Sequence, residues 1–469
     1  MFPMPSLRLH SSCEPHIAVF VVNCVLAAGC AAGRQASPPV AAASAPSRPL
    51  PPAAALVDEA PQSGGPASSE TRVLERGAFV SEVLRRNPSI DSARSGFRAA
   101  LARTRQAGTF EDPMVEVAVA PLSIGSSQAS FGYEVALSQR LPWFGKRALE
   151  QAAASAEAEA AKSDYEAVER ELALTAVTLY DQYFVTTRSL AINAQHIALM
   201  QSMQSAAAAQ FASGRGSVQD ALQAEAELTH LEHDAVMLAT ERDVTVAQMN
   251  ELLHRAPELA LPPPVAELPL PAAPDAPSTR LQGEAVEHRP DIVAVRERAR
   301  AEAARGERAE REGYPDFTLS TSYNSMWDMP EHRWMVGVGL NVPIQRGRRA
   351  GAADEARAMH AQFEHDAARL SDAARTQVFV SLKQLAESRH VLELYEKRLL
   401  PVAQRQIDAA RAGFSTSQNP FVSVVDAERN LRRVELDYQA ERAGYGVRRA
   451  ELDRALGRIP ALDWKETSP

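Results

Sequence analysis

Apolar side chains recur along this chain in two rhythms. Val115, Val117 and Val119 alternate with Glu116 and Ala118, and Tyr133, Val135 and Leu137 alternate with Glu134, Ala136 and Ser138. The pattern returns at Phe317, Leu319, Thr321 and Tyr323, and again at Trp334, Val336, Val338 and Leu340. A period of two puts the apolar residues on one face of a strand. With small or polar residues on the other face, such segments suit hairpins that have lipid on one side and water on the other. Elsewhere the rhythm lengthens. No proline occurs from Trp143 to Ala256, and the stretch is rich in Ala, Glu, Gln and Leu, all helix-favouring. Ala176, Tyr183, Leu190 and Ile197 fall seven apart, while a second row, Leu172 and Leu179, turns polar at Thr186 and Asn193. This is coiled-coil spacing with an imperfect seam. Residues 147–212 would be roughly 100 Å long as one helix, at 1.5 Å per residue. Ser213-Gly214-Arg215-Gly216-Ser217 interrupts it and predicts a helical hairpin. A second helical stretch breaks at Ser415 to Pro420, with Pro401 predicted to kink its first helix. Glu75 to Ala107 reads as a further helical stretch with Pro88 near its start.

The chain repeats itself. Asn87-Pro88-Ser89-Ile90 matches Arg289-Pro290-Asp291-Ile292, Pro113 matches Pro315, and Gly145-Lys146-Arg147 matches Gly347-Arg348-Arg349, all 202 residues apart. Phe211 and Phe414 stand 203 apart, as do Leu222-Gln223-Ala224-Glu225 and Val425-Asp426-Ala427-Glu428. Leu253, Arg255 and Pro257 match Leu456, Arg458 and Pro460 at the same 203. A unit this long exceeds solenoid periods and indicates a two-fold internal duplication. The reading is a leader at 1–30, a Pro/Ala-rich tether at 31–72, a first repeat at 73–256, a Pro-rich linker at 257–280, a second repeat at 281–460 and a tail at 461–469.

Composition narrows the function. At 45% hydrophobic and 23% charged the chain can bury a core, and a net charge of -9 without basic blocks argues against a nucleic-acid partner. The three cysteines, Cys13, Cys24 and Cys30, all fall in the leader, so no disulfide is expected within the repeats. Arg8 precedes an apolar run from Ile17 to Ala28, too short to span a bilayer but suited to a signal peptide. Ala27-Ala28-Gly29-Cys30 resembles a lipobox, making Cys30 the lipidation candidate, with ordinary signal cleavage nearby as the alternative. Beyond Cys30 no stretch approaches ~18 uninterrupted apolar residues, so any later membrane entry must be by strands. There is no phosphate-binding loop, HExxH, GxSxG or paired-cysteine motif; neither an enzyme nor a cofactor nor a resident metal is expected. The loop from Met326 to Met335, with Trp327, Met329 and His332, carries copper-compatible donors but reads as a surface loop between strands.

Four strands of about ten residues suit a membrane barrel but cannot close one, and open edges are not tolerated in lipid. Two copies would give eight strands and a filled interior; three give twelve and leave room for water. A homotrimer is therefore expected.

These features together resemble the TolC-like outer-membrane factor family over residues 73–460. The carrying motifs are the duplicated unit, Asn87-Pro88-Ser89-Ile90, Leu137 through Arg147, and Val424-Val425-Asp426-Ala427-Glu428. The resemblance implies a mainly α protein with a membrane β-barrel portion: a trimeric 12-stranded β-barrel in the outer membrane, four strands per chain, above a long α-helical periplasmic barrel. It implies export as the outer-membrane channel of a tripartite system, with a periplasmic adaptor, an inner-membrane pump of the resistance-nodulation-division type and outer-membrane lipids as partners. The Pro142 to Arg147 segment resembles the heavy-metal subgroup; drug export, type I secretion and a periplasmic coiled-coil scaffold lipoprotein are the alternatives. Within that segment Pro142 should end a strand and Gly145 permit a turn. Trp143 and Phe144 suit a membrane interface, and Lys146 and Arg147 should meet water or headgroups. The family closes its periplasmic entrance with acidic residues. Asp426 and Asp220 match such positions, Ser423 stands at a neighbouring acidic position, and Asn419 stands where some members have a basic lock. A carboxylate ring on a three-fold axis would attract cations, although Asp220 and Asp426 could instead serve as helix N-terminal acids. The tips Gly214, Arg215, Gly216, Ser217, Ser415, Thr416 and Ser417 are the expected adaptor-docking residues.

Overall fold

The computed structural model describes residues 73–464 except 126, 128, 129, 417 and 463. The leader with Cys30, the tether, Ser417 and the last residues of the tail lie outside the described residues. Each half has the same order. The first is α1 (Arg76–Arg86), α2 (Pro88–Ala107), β1 (Met114–Val119), β2 (Tyr133–Leu141), α3 (Lys146–Ala212) and α4 (Val218–Leu252). The second is α5 (Ser278–His288), α6 (Pro290–Arg311), β3 (Phe317–Asn324), β4 (Trp334–Leu340), α7 (Arg346–Leu394), α8 (Leu400–Ser415) and α9 (Phe421–Ala455).

The helical stretch expected from Glu75 to Ala107 is two helices. Proline disfavours helical backbone in the residue before it, and Asn87 is extended, with φ -72° and ψ 125°. Asn87 turns the break into a cap: its side-chain oxygen accepts the Ser89 N–H at 2.9 Å, and its amide donates to the Leu252 carbonyl at 2.9 Å. Arg289 and Pro290 repeat the break between α5 and α6.

The four strands form one antiparallel sheet in the order β1-β2-β3-β4. Val117 faces Val135, Val135 faces Tyr323, and Tyr323 faces Trp334, so the β2–β3 pairing sews the two halves together. The strands run six to nine residues rather than ten. Below the sheet α2, α3, α6 and α7 pack side by side in the order of their strands. Within the shaft α3 and α4 form one hairpin, and α7, α8 and α9 form the other. Two apolar cores lie in the body of the shaft, around Phe79, Tyr180 and Phe184 and around Ile292, Val378 and Leu452. A third, with Met200, Leu231, Ile407, Phe421 and Val425, is shared by both hairpins.

The irregularity expected at Pro401 takes the form of a π-helical turn, Tyr395–Leu399, between α7 and α8. A π turn accommodates one extra residue in an α-helix. The repeat spacing grows from 202 at Gly347 to 203 at Phe414, so the added residue falls in this stretch, whereas α3 runs 67 residues unbroken.

Near the first core, Arg76 Nε donates to Asp181 Oδ1 at 2.7 Å, and its guanidinium lies 5.1 Å from the Trp464 ring centre. The pair fits because α9 presents Gly446 to it. A Cβ there would fall 2.6 Å from Asp181 Oδ2 and 2.7 Å from Arg76 Nη2, whereas one at Gly444 meets nothing within 4 Å. Gly446→Ala should therefore cost about 1–3 kcal/mol by overpacking. Gly444→Ala should be neutral or stabilising by up to about 1 kcal/mol, since alanine favours helix. Thermal unfolding of the detergent-solubilised protein, read by circular dichroism, checks the contrast.

Candidate functional site

The register sorts the sheet into two faces. Val115, Val117, Val135, Leu137, Leu319, Val336, Val338 and Leu340 share one face, with Val117 65% and Val336 78% exposed. Glu116, Glu134, Ala136, Ser138, Ser320, Ser322, Asn324 and Gly337 share the other. An apolar patch this continuous is not left in water. Aromatic rings edge it at both ends. Tyr323 lies 5.9 Å from Tyr133 and 5.4 Å from Trp334 at one rim; Trp143 stacks on Tyr314 at 5.3 Å and on Phe317 at 5.7 Å at the other. From Phe317 to Tyr323 the strand rises about 20 Å at ~3.3 Å per residue. Among the described residues β1 pairs only with β2 and β4 only with β3, so both outer edges are open.

At the sheet's base the Pro142 to Arg147 segment is organised around a residue the sequence did not mark. Asp316, buried just before β3, accepts hydrogen bonds from Lys146 Nζ at 2.8 Å, from the Trp143 N–H at 2.9 Å and from Arg140 Nη2 at 2.8 Å. Lys146 is thus buried at 4% exposure, not at the water or headgroup boundary; its ammonium is held inward by this carboxylate. Arg147 lies over the Phe110 ring at 3.5 Å. Gly145 has φ +85°, and a side chain there would collide with Arg311, so the turn requires glycine. Pro142 follows the end of β2, and Phe144 is exposed beside the lower rim. Burial disfavours the Asp316 charge, but the three donors outweigh it and hold the carboxyl below the usual range.

At the far end of the shaft the hairpin tips are tied by Gln210 Nε2 donating to the Phe414 carbonyl at 3.3 Å. Gly214, at φ +71°, ends α3 by letting the Arg215 N–H return to the Gln210 carbonyl at 2.9 Å, where Gly216 also donates at 3.1 Å. Ser217 and Asp220 form a capping box on α4: the Gln219 N–H donates to Ser217 Oγ at 3.0 Å and the Ser217 N–H to Asp220 Oδ2 at 3.2 Å. This geometry gives Asp220 the helix-cap role. Asp426 stands past the first turn of α9 and is exposed, with no hydrogen bond or ion pair among the described residues. Ser423 is half-buried, its N–H bonded to the Pro420 carbonyl at 3.1 Å. Asn419 folds its amide over Gly413, which has no side chain to obstruct it. Ser415 and Thr416 hydroxyls bond back to the Ala412 carbonyl at 2.8 and 3.1 Å. No hydrogen bond or ion pair links any two of Asp220, Asn419, Ser423 and Asp426 among the described residues. In the outer loop Trp327 meets His332 edge-on at 6.0 Å, and no metal-ligand cluster occurs among the described residues.

Between tips and sheet, the row that turned polar at Thr186 and Asn193 is buried. One helical turn past Asn193, His196 places Nδ1 2.7 Å from Glu428 Oε1 and Nε2 2.8 Å from Glu435 Oε2, both on α9. Arg429 pairs with Glu227 at 2.9 Å and Arg432 with Asp234 at 2.7 Å, tying α9 to α4. The seven-residue spacing of Thr186 and Asn193 was the available signal for this seam; nothing local marked His196 or its partners on α9.

Comparison with known proteins agrees with this geometry. The sequence profile described as outer membrane efflux protein matches residues 79–254 and 281–458. The chain belongs to the outer membrane efflux protein family. It is accordingly an outer-membrane protein. Among curated relatives of this efflux chain, the cobalt-zinc-cadmium resistance protein CzcC of Cupriavidus metallidurans is 27% identical over 238 residues, half of this chain; the match spans 54% of that relative. In solved structures the fold resembles CusC, with 19% identity, TM-score 0.71 and coverage of 82% of this chain and 92% of that one. It also resembles the outer membrane protein VceC of Vibrio cholerae, with 17% identity, TM-score 0.70 and coverage of 82% and 96%.

Asp316→Ala should destabilise this efflux-family chain by about 3 kcal/mol, because Lys146 loses its buried carboxylate while keeping the Tyr314 carbonyl at 3.0 Å and Glu312 at 3.5 Å. With the Asp316 pKa depressed on folding, its stabilisation is present above the unfolded carboxylate range near ~3.9 and is lost as pH falls through the lower folded value. The wild-type melting temperature should drop on acidification by more than that of Asp316→Asn, measured by calorimetry from neutral to strongly acidic pH.

Proposed function

We propose that three copies of this chain close a twelve-stranded barrel and form a passive exit duct, with the helical shaft reaching into the periplasm. The observation that carries this reading is an apolar four-stranded sheet, rimmed by aromatics at both ends and open at both edges. Lipid offers no hydrogen bonds to such edges, so β4 of one copy must meet β1 of the next. The shared order of strands and helices means that closing the sheet also brings α7 of one copy beside α2 of its neighbour. The serine-, glutamate- and glycine-bearing face then lines water.

Transport through such a duct follows the gradient, with energy supplied by an inner-membrane pump reached through a periplasmic adaptor at the tips, where Arg215, Gly216, Ser217 and Thr416 are presented. Similarity to a cobalt-zinc-cadmium resistance protein supports heavy-metal cations as cargo. Asp426, exposed and unpaired on α9, is the residue suited to a carboxylate ring at the entrance.

Purified protein in planar bilayers should insert as a trimer and give cation-preferring conductance. Asp426→Ala should reduce both the cation preference and the block by multivalent cations; a monomer soluble without detergent, or bilayers that stay silent, defeats the duct reading. Deletion of the gene should raise sensitivity to cobalt, zinc or cadmium salts on graded plates. Sensitivity confined to organic drugs defeats the cargo reading while leaving the duct intact.

A further inference from the structure

We propose that His196, held as an imidazolium between Glu428 and Glu435, is a pH-sensitive latch that, beside the Arg429–Glu227 and Arg432–Asp234 pairs, fixes α9 of the second hairpin against the first, so that the tips widen by pivoting below this point. The gating part of this proposal rests on the duct reading; the latch itself rests on geometry alone.

A neutral imidazole has one N–H donor and one lone pair. Both ring nitrogens of His196 lie within 2.8 Å of a glutamate oxygen, and with both glutamates ionised only the doubly protonated ring satisfies both contacts. The site is buried, with His196 at 3% and Glu428 at 0% exposure. Glu428 Oε2 and Asn193 Oδ1 have no protein donor, so the pocket is acceptor-rich and favours a cation at its centre. Burial alone would lower the His196 pKa, but the two carboxylates override it and raise it to about 9.

The surroundings leave the histidine as the unshared cation. On α4, Glu227 and Asp234 are committed to Arg429 and Arg432, while His230, Glu232 and His233 are exposed. On α3 no other charged residue occurs from Ser189 to Ala212. On α8, Ala403 and Ile407 pack inward while Arg405, Asp408 and Arg411 are exposed; in the π turn Glu396 is taken by the Tyr438 hydroxyl at 3.0 Å. Toward the tip from Glu428 the packed face of α9 is apolar: Phe421 lies 5.2 Å from Phe414 of α8 in the same hairpin, and Val424 and Val425 sit in the core shared with the first hairpin, where the Gln210 bond to the Phe414 carbonyl is the polar tie between the tips. Apolar surfaces slide where a doubly bonded ion cannot, because breaking the ion leaves buried charge.

The sign follows from the raised pKa. The latch contributes in full below the unfolded histidine value near ~6.5 and is lost as pH rises through about 9. Hydrogen exchange on the detergent-solubilised trimer, expressed as protection factors, reads the latch. Protection in residues 421–435 should fall about tenfold or more in His196→Gln at neutral pH. The wild type should lose that protection progressively between about pH 6.5 and pH 9, and the variant should show no further loss. Glu435→Gln, altering a partly exposed partner, should give an intermediate loss and covers the case in which His196→Gln does not fold. Unchanged protection in the variants, or a flat wild-type pH profile, overturns the latch. Bilayer conductance then reads gating: open probability should rise in the variants and, in the wild type, above about pH 9. Lost protection with unaltered open probability overturns the gating role and leaves the tie. Silence of the wild type in bilayers overturns the duct reading, while the exchange data still judge the latch.

Discussion

Backbone amides and carbonyls on the outer edges of β1 and β4 govern this molecule. They flank an apolar, aromatic-rimmed face and can be satisfied only by another strand, since the medium around that face supplies neither donors nor acceptors. Much else is arranged to present those edges rigidly. Asp316 gathers Lys146, Arg140 and the Trp143 amide, which ties the start of β3 to the end of β2 and the first turn of α3. Strand register is thereby transmitted to the shaft, and neighbouring helices inherit the order of neighbouring strands.

The strands and the hairpin breaks were legible because their signals are local. Alternation at Val115–Val119 and Trp334–Leu340 is fixed by the two-residue pleat, and Gly214 and Pro420 interrupt helices for reasons of backbone geometry. The duplication was legible because offsets between paired motifs are arithmetic. Asp316 and the partners of His196 were not, since a buried ion pair joins residues more than 160 positions apart and leaves no periodic trace. Lys146 was misplaced for the same reason: a lysine beside an aromatic rim reads as an interfacial residue until its carboxylate is seen. The helix break at Asn87 was available in principle, because a residue before proline resists helical backbone.

Asn193 and His196 show how the shaft departs from an ordinary coiled coil. A seam of leucines would pack more tightly, but it would also accept many registers. Asn193, whose amide donates to the Leu231 carbonyl, and His196 accept few, because each must meet its partner on another helix or stay unsatisfied. Stability is traded for a defined alignment of the two hairpins along a rod of roughly 100 Å.

The π turn at Tyr395–Leu399 bears on how the two copies superpose. Between Gly347 and Phe414 the second copy holds one residue more than the first. In a regular helix an extra residue would swing everything downstream by about 100° around the axis, carrying Phe414 and the tip out of alignment. Confining the surplus to one widened loop of backbone left the lower surface unrotated.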